Sequence, residues 1–255
     1  MRRILAIANR ELNGYFNTVM GWLCLGGFIF LTGFIFAWIA TQYADYATQA
    51  MMDPYGGGTV SVNEHLIPDF FGTTAVILLM LCPALSMRLF SEDIKQHSME
   101  LLLSAPLSSM EVVLGKFLGA MGFATIMLMC TLHYIVILGW ISSPDPMIVV
   151  LNYVATLLLT GAFISAGMLA SAFTRRQLLA LMMSFGFLMV LWFLSGIGSI
   201  AGGSVGNALA YLSVLSHIEA LSMGLLHLKD IIYFVTFIGL FLFATHQRVE
   251  AMRWQ

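Results

Sequence analysis

Six long apolar runs divide the chain, at roughly Val19–Ala40, Phe70–Arg88, Leu114–Ile141, Met147–Phe173, Gln177–Ile200 and Asp230–Thr245. Each is close to or above the roughly 17–25 residues a helix needs to cross a hydrocarbon core. Their centres carry no Asp, Glu, Lys or Arg. The pattern predicts an all-α integral membrane protein with six transmembrane helices.

Between the runs the polar residues are placed as helix punctuation. Residues 1–18 read as an N-terminal interfacial helix. Ile4, Leu5, Ile7, Ala8, Leu12, Tyr15 and Phe16 recur at helical spacing, and Arg2, Arg3, Arg10 and Glu11 occupy the remainder. Ser108-Ser109-Met110-Glu111 has capping-box spacing and opens the third helix after Pro106. Asp145-Pro146 supplies an N-cap and an N1 proline for the fourth. Thr174-Arg175-Arg176-Gln177 reads as a second capping box, in a connection so tight that helices four and five must be antiparallel neighbours. Residues 201–229 differ in kind: they open on Gly202-Gly203-Ser204 and continue apolar but interrupted by Asn207, Ser213, Ser216, His217, Glu219 and Ser222. That is too polar for a seventh span and predicts an external re-entrant or interfacial hairpin between helices five and six. Small residues four apart, at Gly115/Gly119, Thr156/Thr160, Gly161/Ser165 and Gly167/Ser171, let helix backbones approach closely.

Composition agrees with the pattern and charge adds its direction. At 255 residues, 60% hydrophobic and 9% charged, residues 1–255 form one transmembrane domain. Of the 11 Lys and Arg residues, only Lys229 falls on an odd-numbered connection. Arg2, Arg3, Arg10, Arg88, Lys95, Lys116, Arg175, Arg176, Arg248 and Arg253 share the other side, so both termini are expected to be cytoplasmic. The first external loop, residues 41–69, has no Lys or Arg and holds Asp45, Asp53, Glu64 and Asp69. It is too short for an independent domain, so any external head must come from another chain. Cys24, Cys82 and Cys130 lie in apolar segments and read as small core residues. The first run is too long and too late for a cleavable signal.

The most specific stretch is Arg88 to Lys116, RLFSEDIKQHSMELLLSAPLSSMEVVLGK. A charged helix start at Ser91, Glu92 and Asp93 leads to Lys95, Glu100 and Leu101–Leu103, a stop at Ala105-Pro106, and a capped return into the membrane. A short helix across the cytoplasmic face, joined rigidly to two spans, is suited to receive a push. With Glu100-Leu101-Leu102-Leu103, Ser104-Ala105-Pro106 and Gly115-Lys116, the chain resembles the permease subunits of ABC type-2 transporters, particularly the gliding-motility and nitrous-oxide-accessory branch. The likeness extends to ANRELNGYF near the start and to LSHIEALSMGLLHLKDIIYFVTFIGLFLFAT and Arg253-Trp254 near the end, and departs from it at Gln96-His97-Ser98-Met99.

The resemblance implies two six-helix permease chains, identical or paralogous, each resting on a cytoplasmic ABC ATPase subunit in a bacterial cytoplasmic (inner) membrane. ATP and Mg would belong to that ATPase and no cofactor to this chain. The partners would be the ATPase, the second permease, membrane lipids and an external accessory protein, and no nucleic acid. The loop of residues 91–106, with the N-terminal helix, would couple nucleotide-driven movement, through Glu92, Lys95, Glu100 and Pro106 and secondarily Arg10 and Glu11. Two other readings stand beside a transporter: a mechanotransmitting or anchoring subunit working with an external partner, and an ion-coupled secondary transporter, which the uncharged span centres disfavour.

No G-x-x-x-x-G-K-[ST], H-E-x-x-H or G-x-S-x-G occurs, so phosphate-cradle, metalloprotease and serine-hydrolase chemistry have no residues to stand on. His133, deep in the third run, is a candidate intramembrane polar site. An imidazole bonded to a neighbouring helix would account for it equally well. His217 and Glu219, two apart, face away from each other on a helix and do not make a joint site.

Overall fold

The computed structural model describes residues 2–52, 62–63, 65–96, 108–142, 144–222 and 227–252. Among them the regular structure is α1 (Arg2–Phe16), α2 (Val19–Met52), α3 (Leu66–Ser86), α4 (Arg88–Lys95), α5 (Ser109–Met129), α6 (Leu132–Ile141), α7 (Pro146–Phe173), α8 (Gln177–Ala201), α9 (Gly203–Leu212), α10 (Val214–Ser222) and α11 (Leu228–Met252). Six stretches of these helices are long and apolar enough to span a bilayer: Val19–Gln49, Leu66–Lys95, Ser109–Trp140, Pro146–Phe173, Gln177–Ala201 and Leu228–Met252. The protein is an all-α integral membrane protein with six spans.

Several helix ends lie beyond the apolar runs, because helices stop at breakers and not where hydrophobicity fades. α2 has 34 residues, about 51 Å at 1.5 Å per residue, and continues past Ala40 to Met52. Residues 41–52 are polar but rich in Ala, Gln and Thr, with hydroxyls such as Thr48 Oγ1 bonded to the helix's own carbonyls. The first connection is correspondingly shorter than 41–69. The second span begins at Leu66, and the charged segment after it is no separate helix start: α4 continues α3 after a break at Met87. Pro83 lies within α3, and Ser86 Oγ bonds to Cys82 O (2.8 Å) immediately before that break. The sixth span is likewise longer at both ends, from Leu228 to Met252.

Two of the three expected N-terminal caps form. Ser108 Oγ accepts from Glu111 N–H (3.1 Å) while Glu111 Oε2 accepts from Ser108 N–H (3.0 Å), and Asp145 Oδ1 accepts from Met147 N–H (2.9 Å). The third is corrected. Thr174 Oγ1 accepts from Arg176 N–H (3.1 Å), Arg176 is the N-cap of α8, and its side chain makes no capping bond. Thr174 thus closes the turn and does not start the helix.

α3 and α7 are the centre of the bundle: 61% of the most apolar window in each of their spans is buried, against 22% for α2, α8 and α11. α7 touches α3, α5, α8, α10 and α11. Gly167 lets it close on its neighbours, since a Cβ there would overlap Ser86 Oγ. At one end, called basal here, lie α1, α4 and the turn between α7 and α8. At the distal end the chain reverses at Gly202 and Gly203, both at φ 62°, a conformation that suits glycine. α9 then folds back along α8, with Gly198 and Gly206 in backbone contact, and α10 buries Val214 and Ile218 against the core. The pair is a re-entrant hairpin between the fifth and sixth spans.

The Gly115/Gly119 pair does not join two spans. It seats α1, which packs lengthwise on α5: a Cβ at Gly115 would stand 2.7 Å from Ile7 Cβ, and one at Gly119 would stand 2.6 Å from Glu11 Cβ and 2.8 Å from Ala8 O. Overpacking of this kind costs about 1–3 kcal/mol. Gly119→Ala is therefore expected to speed amide exchange across residues 2–16 by roughly 10- to 100-fold. Gly26→Ala, whose Cβ would meet nothing within 4 Å, should leave it unchanged. Equal exchange in the two variants would show that the docking of α1 does not depend on this approach.

Candidate functional site

The basal end is organised around a buried cation. Lys116 lies about two turns into α5 and is 2% exposed. Its Nζ donates to Glu11 Oε1 of α1 at 2.7 Å and stands 2.8 Å from Asp93 Oδ2 of α4, with the Phe90 ring centroid 5.5 Å away. One ammonium thus joins three elements: the N-terminal helix, the segment leaving the second span and the start of the third.

A second set of contacts fixes the same junction. Tyr15 is buried, stacks on Phe123 (centroids 4.7 Å apart) and donates its hydroxyl to Leu85 O at 2.8 Å. The Arg88 guanidinium lies 4.2 Å over the Tyr15 ring and donates to Thr18 Oγ1 at 3.0 Å. Burial raises the phenol pKa well above its ordinary value, against the lowering effect of Arg88, so Tyr15 acts here as a donor. Trp22 Nε1 donates to Phe16 O at 2.8 Å and secures the bend from α1 into α2. The C-terminal helix joins too, through a hydrogen bond from Ser109 Oγ to Glu250.

The residues expected to couple fall into two groups. Glu11 is part of the buried triad. Arg10 (Nη2 3.5 Å from Glu11 Oε1) and Lys95 are exposed, and Glu92, partly exposed, accepts from Gln96 Nε2 at 3.3 Å. Glu100 and Pro106 lie outside the described residues. His133 is exposed on the flank of the third span, its Nδ1 against Cys130 O of its own chain segment and not on a neighbouring helix. It sits beside the break between α5 and α6, where Thr131 Oγ1 meets Tyr153 Oη at 2.8 Å.

Sequence reasoning passed over Lys116 and Asp93 as a pair. The available signal was a lysine inside an apolar helix, which must find anionic partners. It also passed over His217 and Asp230, which bridge α10 and α11 in the re-entrant region. His217 Nδ1 lies 2.6 Å from Asp230 Oδ1, Nε2 lies 2.9 Å from Tyr211 O, and the ring stacks on Tyr233 with centroids 4.0 Å apart. Asp230 is 1% exposed. A carbonyl only accepts, so Nε2 donates to Tyr211 and the proton between Nδ1 and Oδ1 belongs to the pair. Among the described residues no group of three or more His, Cys, Asp or Glu side chains is placed to hold a metal ion.

Removing one member of a buried ionic set costs about 3 kcal/mol or more, because the remaining charges lose their partner. Lys116→Met is expected to lower the unfolding free energy by about that amount in an SDS titration of the purified protein. Adding Glu11→Gln and Asp93→Asn should recover most of the loss. A triple variant no more stable than Lys116→Met would mean that the triad contributes through packing alone.

Comparison with curated proteins finds no match. The family description "ABC-2 family transporter protein" matches residues 6–247, which takes in most of α1, the triad, the first five spans, the re-entrant hairpin and most of the sixth span. Membership implies the membrane permease component of an ABC transporter, a subunit that is generally not catalytic and works with a partner ATPase in a dimeric arrangement. The chain belongs to the ABC-2 family of transporter membrane proteins.

Proposed function

We propose that this chain is the permease of an ATP-driven exporter in a bacterial cytoplasmic membrane, moved by a separate cytoplasmic ATPase bearing on residues 91–106. Two such permeases, identical or paralogous, would form the path between them. The ATPase would hold the ATP and Mg. The observation that carries this reading is the Lys116 triad. α4, which leads into the loop, is tied by ion pairs to α1 and to the start of the third span, so a displacement of α4 cannot remain local.

Charge supports the orientation. Arg2, Arg3, Arg10, Arg88, Lys95, Arg175, Arg176 and Arg248 gather at the basal end, and short basic connections remain cytoplasmic. The exposed Lys95 and Arg10 and the partly exposed Glu92 then face the ATPase, with Glu100 and Pro106 following in sequence. Glu11 transmits and does not dock. The motifs of residues 88–116 favour the gliding-motility and nitrous-oxide-accessory branch.

Charge reversal of two rim residues weakens an interface mainly through its electrostatic complementarity. Glu92→Lys with Glu100→Lys is expected to reduce recovery of the ATPase with the purified permease by about tenfold, the factor that corresponds to about 1.4 kcal/mol. The melting curve of the permease itself should not change. Undiminished recovery from that double variant would refute the docking assignment.

A further inference from the structure

At the basal end, α7, α8 and α11 frame an open slot of about 240 Å³, walled by Ala166, Ala170 and Phe173 from α7, Met183 and Phe187 from α8, and Phe241 from α11. Its one side-chain hydroxyl, on Ser184, is bonded to Ala180 O (2.9 Å) and Leu181 O (3.0 Å) of its own helix. The lining of the slot is therefore almost wholly apolar. Phe173, Met183 and Phe187 keep part of their surface open on the flank of the bundle, where lipid has access. From Ala166 to Phe173 the wall rises seven residues, about 10 Å along α7.

The mouth of the slot has the opposite character. The Arg248 guanidinium lies 5.2 Å over the ring of Phe173, a residue of the wall. Arg248 Nε is buried and has no hydrogen-bond acceptor among the described residues. Arg175 and Arg176, both exposed, follow Phe173 in the turn to α8. Among the described residues, the carboxylate of Glu250 is engaged by Ser109 and that of Asp93 by Lys116. An apolar slot that opens under guanidinium groups with no ion-pair partner among the described residues has the two-part chemistry of a phospholipid, a chain below and a phosphate above. We infer that the slot holds an acyl chain of an anionic phospholipid from the leaflet at the basal end, with the headgroup phosphate against Arg248. The lipid is a resident of the permease flank, distinct from any cargo.

The test is native mass spectrometry of the purified full chain after equilibration with micelles containing equal amounts of phosphatidylglycerol and phosphatidylcholine of the same acyl length. Attraction of about 1 kcal/mol per basic side chain at a headgroup corresponds to about a fivefold preference. The wild-type chain should retain phosphatidylglycerol over phosphatidylcholine by at least about that ratio. Arg248→Gln, which keeps most of the side-chain packing, should bring the ratio close to one, and Arg248→Lys should restore part of it. Ala170→Phe, which fills the slot, should reduce retention of both lipids.

Equal retention of the two lipids by the wild type, or an unchanged ratio in Arg248→Gln, would overturn the inference. So would disulfide-linked permease dimers formed in native membranes by Met183→Cys, since the slot would then be covered by a second copy. ATPase recovery is read in the same preparations and is expected to be unchanged, which separates this result from the docking of the ATPase.

Discussion

Burying an ammonium group at Lys116 obliges the fold to bring two carboxylates to it, and the geometry of the basal end follows from meeting that demand. Neither carboxylate is on α5. Glu11 comes from α1, and it reaches Lys116 because Gly119 leaves room for its Cβ, which would otherwise stand 2.6 Å from a side chain there. Asp93 comes from α4, which is directed by continuing α3 after the break at Met87. The small-residue stripe, the helix break and the ion triad therefore depend on one another. A charge left unpaired in such surroundings costs several kcal/mol, so the three elements are held in one arrangement or not assembled at all.

A tie of this kind matters for a permease because spans move as packed bodies and slide only where contacts permit. α4 is continuous with the second span, Lys116 belongs to the third, and α1 leads through Thr18 into the first. On the proposed mechanism, force applied to α4 reaches three of the six spans through contacts of 2.7–3.0 Å, without passing through a flexible linker. The hydrogen bond of Ser109 to Glu250 adds the C-terminal helix to the same junction. α7 has another task. Buried at the centre and lined with hydroxyls that bond to its own carbonyls, such as Thr156 to Asn152 O and Thr160 to Thr156 O, it turns much of its polarity inward, while Tyr153 Oη meets Thr131 Oγ1 at the break between α5 and α6.

The six spans were legible because hydrophobic length is dictated by the bilayer, and two of the three caps because Ser108 and Asp145 satisfy their own local backbone groups. Thr174 was misread since its hydroxyl can close a turn as readily as it can cap a helix, and the choice depends on where α8 begins. The end of α2 was misjudged for a related reason: nothing in Thr41-Gln42-Tyr43 breaks a helix, although it is no longer apolar. The candidate site was half legible. Glu11 and the segment containing Asp93 stood out as charges beside a membrane span. Their meeting at Lys116 is a tertiary fact among residues separated by 105 positions in one case, and local patterning carries no record of it.

The distal end shows the same physics with different residues. His217 and Asp230 lie in helices that sequence proximity would not pair face to face, yet both are buried, and each satisfies a group the other could not leave bare. The Tyr233 hydroxyl donates to Leu212 O at 2.8 Å while its ring covers His217, so the start of α11 grips both arms of the re-entrant hairpin. A hairpin dipping back among spans exposes backbone ends that lipid cannot solvate. Ser213 Oγ to Trp192 O, Ser216 Oγ to Ala210 O and His217 Nε2 to Tyr211 O meet part of that need from side chains alone. The serines and the histidine that make residues 201–229 too polar for a seventh span are the groups that allow the hairpin to enter the bundle. Their polarity is a requirement of re-entry, and the interrupted hydrophobic pattern is its sequence signature.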